Sequence, residues 1–204
     1  MIVRYPNNIL MTPTKEVSIF ERHKLDSLVN LLFEKNKEHQ GVGLAFNQIG
    51  GDQSIFVIDY IPKREASTYG DESSYMGVFL NPEIVSHSNE TIVIPEACLS
   101  LPGVRVNKER WKTIHVRWKD VAGSDHNDEF TGMKAIIFQH ELDHLHGKTI
   151  INSLPLLKQK MLVEKMKKNN VRSARQRAKE MGISMPKDAQ EKIDIYTGKR
   201  TSNE

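Results

Sequence analysis

The sequence predicts an α+β fold with a mostly antiparallel sheet, and three observations carry that expectation. A helix-periodic stretch opens the chain, several short apolar runs with strand character follow, and helix-periodic stretches close it. The chain has 204 residues and no internal repeat, which fits one compact domain.

The elements follow in order. Residues 24–38, "KLDSLVNLLFEKNKE", set Leu25, Leu28, Val29, Leu31 and Leu32 at helical spacings and predict an amphipathic helix. "GVGLAFNQIGG" (41–51) is too rich in glycine for a regular element. "SIFVIDY" (54–60) reads as a strand, and 60–75 as a long polar loop. Apolar stretches at 78–85, 91–94 and 114–118 read as further strands; in the last, Ile114, Val116 and Trp118 alternate with His115 and Arg117. A helix is expected from about Thr131 to a stop at Gly147, and another over 154–182 with Pro155 in its first turn. The polar stretch 183–204 is expected to lack regular order.

Composition narrows the function. A 38% hydrophobic content can build a core, and no apolar run reaches membrane-spanning length. The N-terminus lacks a secretory or transit pattern, so a cytoplasmic protein with no membrane partner is expected, and no DNA partner is expected either. Cys98 is the single cysteine and can form no intrachain disulfide. The net charge of +3 is unevenly spread. Residues 158–180 hold nine Lys/Arg and two Glu, a local net of +7, which leaves −4 for the rest. Leu157, Met161, Leu162 and Met166 form a stripe that could dock this helix on the body, with Lys167, Lys168, Arg172, Arg175, Arg177 and Lys179 projecting beyond.

The chemistry centres on "FQHELDHLHG" (138–147). At 3.6 residues per turn, His140, Glu141 and His144 sit at about 0°, 100° and 40° around a helix. Two imidazoles on one face beside a carboxylate suit a metal-activated water with a carboxylate base. Met133, Ile136 and Ile137 place the histidines on an apolar stripe rather than a solvated face. A third ligand is not obvious. Ile150 stands where a metzincin extension would need histidine, Glu164 lies in the basic segment, and His146 points elsewhere. Cys98, in "IPEACLSLPG" (94–103), remains as a candidate, although a lone buried cysteine is more often a small hydrophobe.

"GVGLAFNQ" (41–48), "EACLS" (96–100) and "QHELDH" (139–144), in this order, resemble the three signature motifs of peptide deformylases. The resemblance runs from "RYPNNIL" through about residue 154 and takes in "LNPEI" (80–84) and "LPGVR" (101–105). It implies antiparallel sheets around a central metal-binding helix, with residues 1–154 as catalytic domain; the residue pattern itself adds 155–182 as a basic C-terminal helix and 183–204 as a polar tail. The resemblance implies removal of the formyl group from the formyl-methionine of nascent polypeptides. Cys98, His140 and His144 would hold one divalent ion, Fe2+ in the usual native form, with Zn2+ or Ni2+ able to replace it. Glu141 would take the proton of the attacking water and deliver it to the leaving amine. The Gln48 amide and the Leu99 backbone N–H would stabilise the developing oxyanion.

By the same resemblance, Gly43 and the backbone of Gly41 and Val42 would pair with the peptide as an added strand. Val42, Ile94, Met133, Ile136 and Ile137 would receive the methionine side chain. Glu96 would pair with Arg110, and Arg105 would lie near the groove. The chain departs from the family at Phe46-Asn47, where a small pair is usual, and at Ala97, where glycine is usual. Phe46 is expected to add bulk near the site. Two other readings fit the residues: a zinc metallopeptidase using the same helix, and an inactive ribosome- or RNA-binding protein built around 158–180.

Overall fold

The computed structural model describes residues 1–18, 22–62, 73–180 and 182. The elements are α1 (Arg22–Glu38), β1 (Gly43–Ala45), β2 (Ile55–Tyr60), β3 (Tyr75–His87), β4 (Thr91–Cys98), β5 (Leu101–Trp111), β6 (Thr113–Lys119), β7 (Asp125–Thr131), α2 (Gly132–Leu145) and α3 (Leu156–Glu180). Five strands form an antiparallel sheet in the order β1-β2-β3-β6-β7, and β4 and β5 form a separate antiparallel hairpin. The fold is α+β, as the element order predicts.

Strand β2 explains why "IFVIDY" is apolar without alternation. Ile55 and Val57 pack with Leu25 and Leu32 of α1, while Phe56, Ile58 and Tyr60 pack with Ile137, Phe138 and Leu142 of α2. Both faces of the strand are covered, so both side-chain sets must be apolar. On the α2 side, Phe79, Phe130 and Phe138 meet edge to face at centroid separations of 5.2–5.9 Å. This aromatic cluster seats α2 on the sheet.

Several elements differ from the expectation. The glycine-rich stretch contains a short strand, β1, and a 3-10 turn, Phe46–Ile49. Strands β5 and β7 were not legible as strands. In β5, Pro102 and Gly103 interrupt the start, and Arg105, Lys108 and Glu109 fall among the apolar positions. In β7 only Phe130 is buried, so pairing with β6 makes the strand and apolar pattern does not. Helix α2 ends as expected, with Gly147 at φ 69°; a Cβ there would lie 2.8 Å from the Met11 carbonyl carbon. Residues 63–72 of the expected loop and the expected tail 183–204 lie outside the described residues.

Helix α3 docks on β5 through Leu162, Val163 and Met166, which pack with Leu101, Val104, Val106, Ile150 and Ile151. The expected stripe is thus only half used: Leu157 and Met161 are 72% and 65% exposed. Among the described residues no helix is long and apolar enough to cross a membrane.

Candidate metal centre and its cleft

Hairpin β4–β5 and helix α2 bring three donors together. Cys98 ends β4, and His140 and His144 stand one turn apart on α2. Their ligand atoms all lie within 4.8 Å of one another, with Cys98 Sγ 3.1 Å from His144 Nε2. Bonds of about 2.0–2.3 Å in a tetrahedron would separate such donors by about 3.3–3.6 Å, so a small shift suffices to close them on one ion. Burial would push the Cys98 thiol up, yet His144 and His140 hold it well below the usual thiol range. The thiolate is the form that binds a metal. The residues fit a divalent ion.

A buried ionic chain fixes the first histidine. His140 Nδ1 contacts Glu96 Oε2 at 2.8 Å; with a carboxylate as acceptor, Nδ1 carries the proton and Nε2 is left to coordinate. Arg110 donates to both oxygens of Glu96, from Nε at 2.6 Å and Nη2 at 2.9 Å, and through Nη1 to Asp143 Oδ2 at 2.7 Å. Burial opposes ionisation of Glu96, but hydrogen bonds from His140 and Arg110 bring its carboxyl down to about 2. Burial likewise opposes charge on His140, which Cys98 and Glu96 hold well above the usual imidazole value.

The opposite wall is built from backbone and from Gln48. A Cβ on Gly43 would lie 2.7 Å from Glu141 Oε1 and 3.0 Å from Ile137 Cγ2, so glycine is what lets the two walls approach. Glu141 is buried, and its Oε2 has no hydrogen-bond partner among the described residues. Burial pushes its carboxyl above the usual range, against the pull of His140 and His144. The Gln48 amide has a fixed orientation: Ala45 N–H donates to Oε1 at 2.9 Å, which aims Nε2 at Ser100 Oγ (3.3 Å) and Cys98 Sγ (3.6 Å).

The cleft, of about 350 Å³, is lined by Gly41, Val42, Gly43, Gln48, Ile94, Glu96, Cys98, Leu99, Met133, Ile136, Ile137, His140 and Glu141, along with Gln40, Pro95 and Ala97. Arg110 stands behind it, on Glu96. Arg105 is not in the lining; it is exposed on β5 and borders an adjoining hollow. Phe46 does not crowd the site. Its ring lies over Gly51, where a Cβ would come within 2.1 Å of it, and packs on the α1 side of the sheet. Asn47 donates to the His144 carbonyl, tying the Gln48 turn to the metal helix. Sequence reasoning missed Asn47, Ser100, Gln139 and Asp143 as supports. A signal existed for the last two, since each immediately precedes one of the two candidate histidine ligands.

A thiolate and two imidazoles beside a buried carboxylate, in a cleft open to solvent, define a metal-dependent hydrolase. The comparisons narrow the class. A sequence profile described as polypeptide deformylase matches residues 1–160. Peptide deformylase of Aquifex aeolicus is 38% identical over 167 residues, covering 82% of this chain and 94% of that protein. Peptide deformylase from Ehrlichia chaffeensis superposes with a TM-score of 0.76 at 29% identity, over 85% of this chain and 97% of that one. The class I type b enzyme of Acinetobacter baumannii, solved with Met-Ala-Ser bound, gives 0.70 at 27% identity over 76% and 97%. The chain belongs to the polypeptide deformylase family, whose activity is removal of the formyl group from nascent polypeptides.

Proposed function

We propose that Glu141 is the proton carrier of this deformylase, and that Gln48 Nε2 and the Leu99 N–H receive the negative charge that develops on the formyl oxygen. One observation carries the reading: a buried carboxylate with an unpaired oxygen stands between the metal ligands and the Gly43 backbone. A divalent ion held by Cys98, His140 and His144 supplies Lewis acidity and makes a water nucleophilic near neutral pH. Glu141, with its carboxyl raised by burial, is matched to taking a proton and returning it to the departing amine. The Gln48 amide costs no reorganisation, because Ala45 and Ser100 already orient it.

The peptide enters as a strand. Among the described residues β1 pairs only with β2 and β4 only with β5, so each presents an edge with no strand partner there, and residues on those edges line the cleft. Gly41, Val42 and Gly43 pair with the peptide backbone, which reads no side chain, while Ile94, Met133, Ile136 and Ile137 take the methionine. Formate release from formyl-Met-Ala, with metal measured on anaerobically purified protein, tests the whole reading. Cleavage of an unformylated peptide, with no formate from the formylated one, would replace it with a metallopeptidase.

Fe2+ is the proposed native ion on the family's usual form; a soft thiolate with two imidazoles also accepts Zn2+ or Ni2+, so the donor set by itself does not select it. Peroxide should inactivate an iron-loaded form faster than a nickel- or zinc-loaded one; equal rates would remove metal redox chemistry from the account. A cytoplasmic enzyme working on emerging chains would gain from a contact between residues 158–180 and ribosomal RNA. Such binding should weaken steeply as salt rises. Truncation after Met166 should reduce co-sedimentation with ribosomes at low salt, and unchanged co-sedimentation would refute the contact.

A further inference from the structure

The cleft borders a second hollow beside Cys98. Ala97 lines the cleft and also lines this adjoining hollow of about 390 Å³, walled by Gly103, Val104 and Arg105 of β5 and by Leu162, Lys165 and Met166 of α3. The hollow has an apolar floor and two cations, with no acidic side chain among the described residues that line it. Arg105 and Lys165 are both exposed, and neither side chain has a hydrogen bond or ion pair with another described residue. The nearest acid on α3, Glu164, is engaged by Lys167 at 3.0 Å.

We propose that this hollow is a substrate subsite for an acidic side chain on the third to fifth residue of the nascent chain, with Arg105 and Lys165 recognising its carboxylate. The proposal rests on the deformylation reading above and adds a sequence preference to it. The reach is right. Ala97 directly precedes the ligand Cys98 and sits opposite Arg105 in the β4–β5 ladder. Paired Cα atoms in such a ladder lie about 5 Å apart, and an extended peptide advances about 3.4 Å per residue. A peptide whose first carbonyl is at the metal centre therefore needs only a few residues to span the distance to Arg105. Helix α3 thereby completes a wall of the substrate path, and two unpaired cations there complement an anion. A peptide carboxylate is favoured over an RNA phosphate because the hollow shares a wall with the catalytic cleft, and because Arg105 lies on β5 and not on α3.

The test compares formyl-Met-Ala-Ala-Glu-Ala amide with formyl-Met-Ala-Ala-Lys-Ala amide on the full-length, metal-loaded enzyme, reading formate. Taking the ratio of the two kcat/KM values within each preparation cancels differences in folding and metal content. The acidic peptide should be favoured by about two- to fivefold at low ionic strength, the scale of exposed charge pairs, and mainly through KM. Lys165→Met should bring the ratio towards one, Lys165→Glu should invert it, and added salt should shrink it. A wild-type ratio near one, or a ratio unmoved by Lys165→Glu, overturns the subsite. So does a Lys165→Glu variant that loses ribosome co-sedimentation while keeping the peptide ratio, which would reassign the cations to RNA phosphate. Formate release from formyl-Met-Ala by the wild-type enzyme separately tests the underlying activity.

Discussion

Nine of the fourteen residues of α2 are buried, whereas among the described side chains of α3 only Met166 is. The two helices answer to different constraints. On α2, apolar side chains fill the aromatic core, and most of the polar ones have an assigned partner: Gln139 on Trp111, His140 on Glu96, Asp143 on Arg110. On α3 three side chains grip β5, and most of the other described ones are exposed. Burial makes residue identity expensive to change, and exposure leaves it free to vary. A substitution on α2 or its supports should therefore cost far more than one on α3.

The largest effects are expected at the ligands. Cys98→Ala, His140→Ala and His144→Ala should each lose most of the metal, by elemental analysis, and essentially all formate release. Stoichiometric metal in Cys98→Ala would remove the thiolate from the coordination. Glu141→Gln should keep the metal while kcat falls by about 10²–10⁴-fold, because a proton carrier is lost and a ligand is not. Loss of metal in this variant would show that Glu141 also shapes the coordination.

Next come the supports. Glu96→Ala leaves the buried Arg110 and the partly buried His140 without the carboxylate they share. It should destabilise by about 3–5 kcal/mol in urea unfolding and lower metal affinity by about 10–100-fold in chelator competition. The double variant Glu96→Leu/Arg110→Met should recover much of the stability without recovering the affinity. Recovery of both would mean that the ionic chain serves folding alone. On α3, Met166→Ala should cost about 1–2 kcal/mol, less than a deep core truncation, since the helix can resettle on β5. Met161→Ser, exposed, should stay within about 0.5 kcal/mol. An α3 substitution as costly as Glu96→Ala would erase the contrast between the helices.

The same contrast explains what could be read in advance. Helices α1 and α2 and strand β2 announce themselves because buried faces impose a period or an unbroken apolar run. The two histidines and Glu141 were legible because three positions on one helical turn need no tertiary information. Cys98 was not fixed by spacing; it comes from another sheet, and only the family motifs selected it. Strand β7, "DHNDEFT", owes its conformation to a neighbour and carries little signal of its own. Phe46 was misplaced for a different reason. Sequence puts it two residues from Gln48 but says nothing of its rotamer, and the ring turns onto Gly51, away from the cleft. The split docking of α3 likewise depends on the position of β5, which local pattern did not reveal.

Gln139 has a consequence for alignment. Its Oε1 accepts from Trp111 N–H at 3.1 Å and its Nε2 donates to Trp111 O at 2.9 Å, so a side-chain amide mates with a peptide unit as a neighbouring strand would. A third bond, Nε2 to Ala135 O at 3.1 Å, pins the same amide to its own helix. The helix is thereby keyed to the hairpin like a shaft to a hub. It can neither roll about its axis nor slide along it without shearing those bonds. The two histidines ride on the shaft and the cysteine on the hub, so one glutamine sets the angular phase between donors that lie more than forty positions apart along the chain. Gln139→Glu would put a carboxylate oxygen against the Trp111 carbonyl and release that phase lock while leaving all three donors in place.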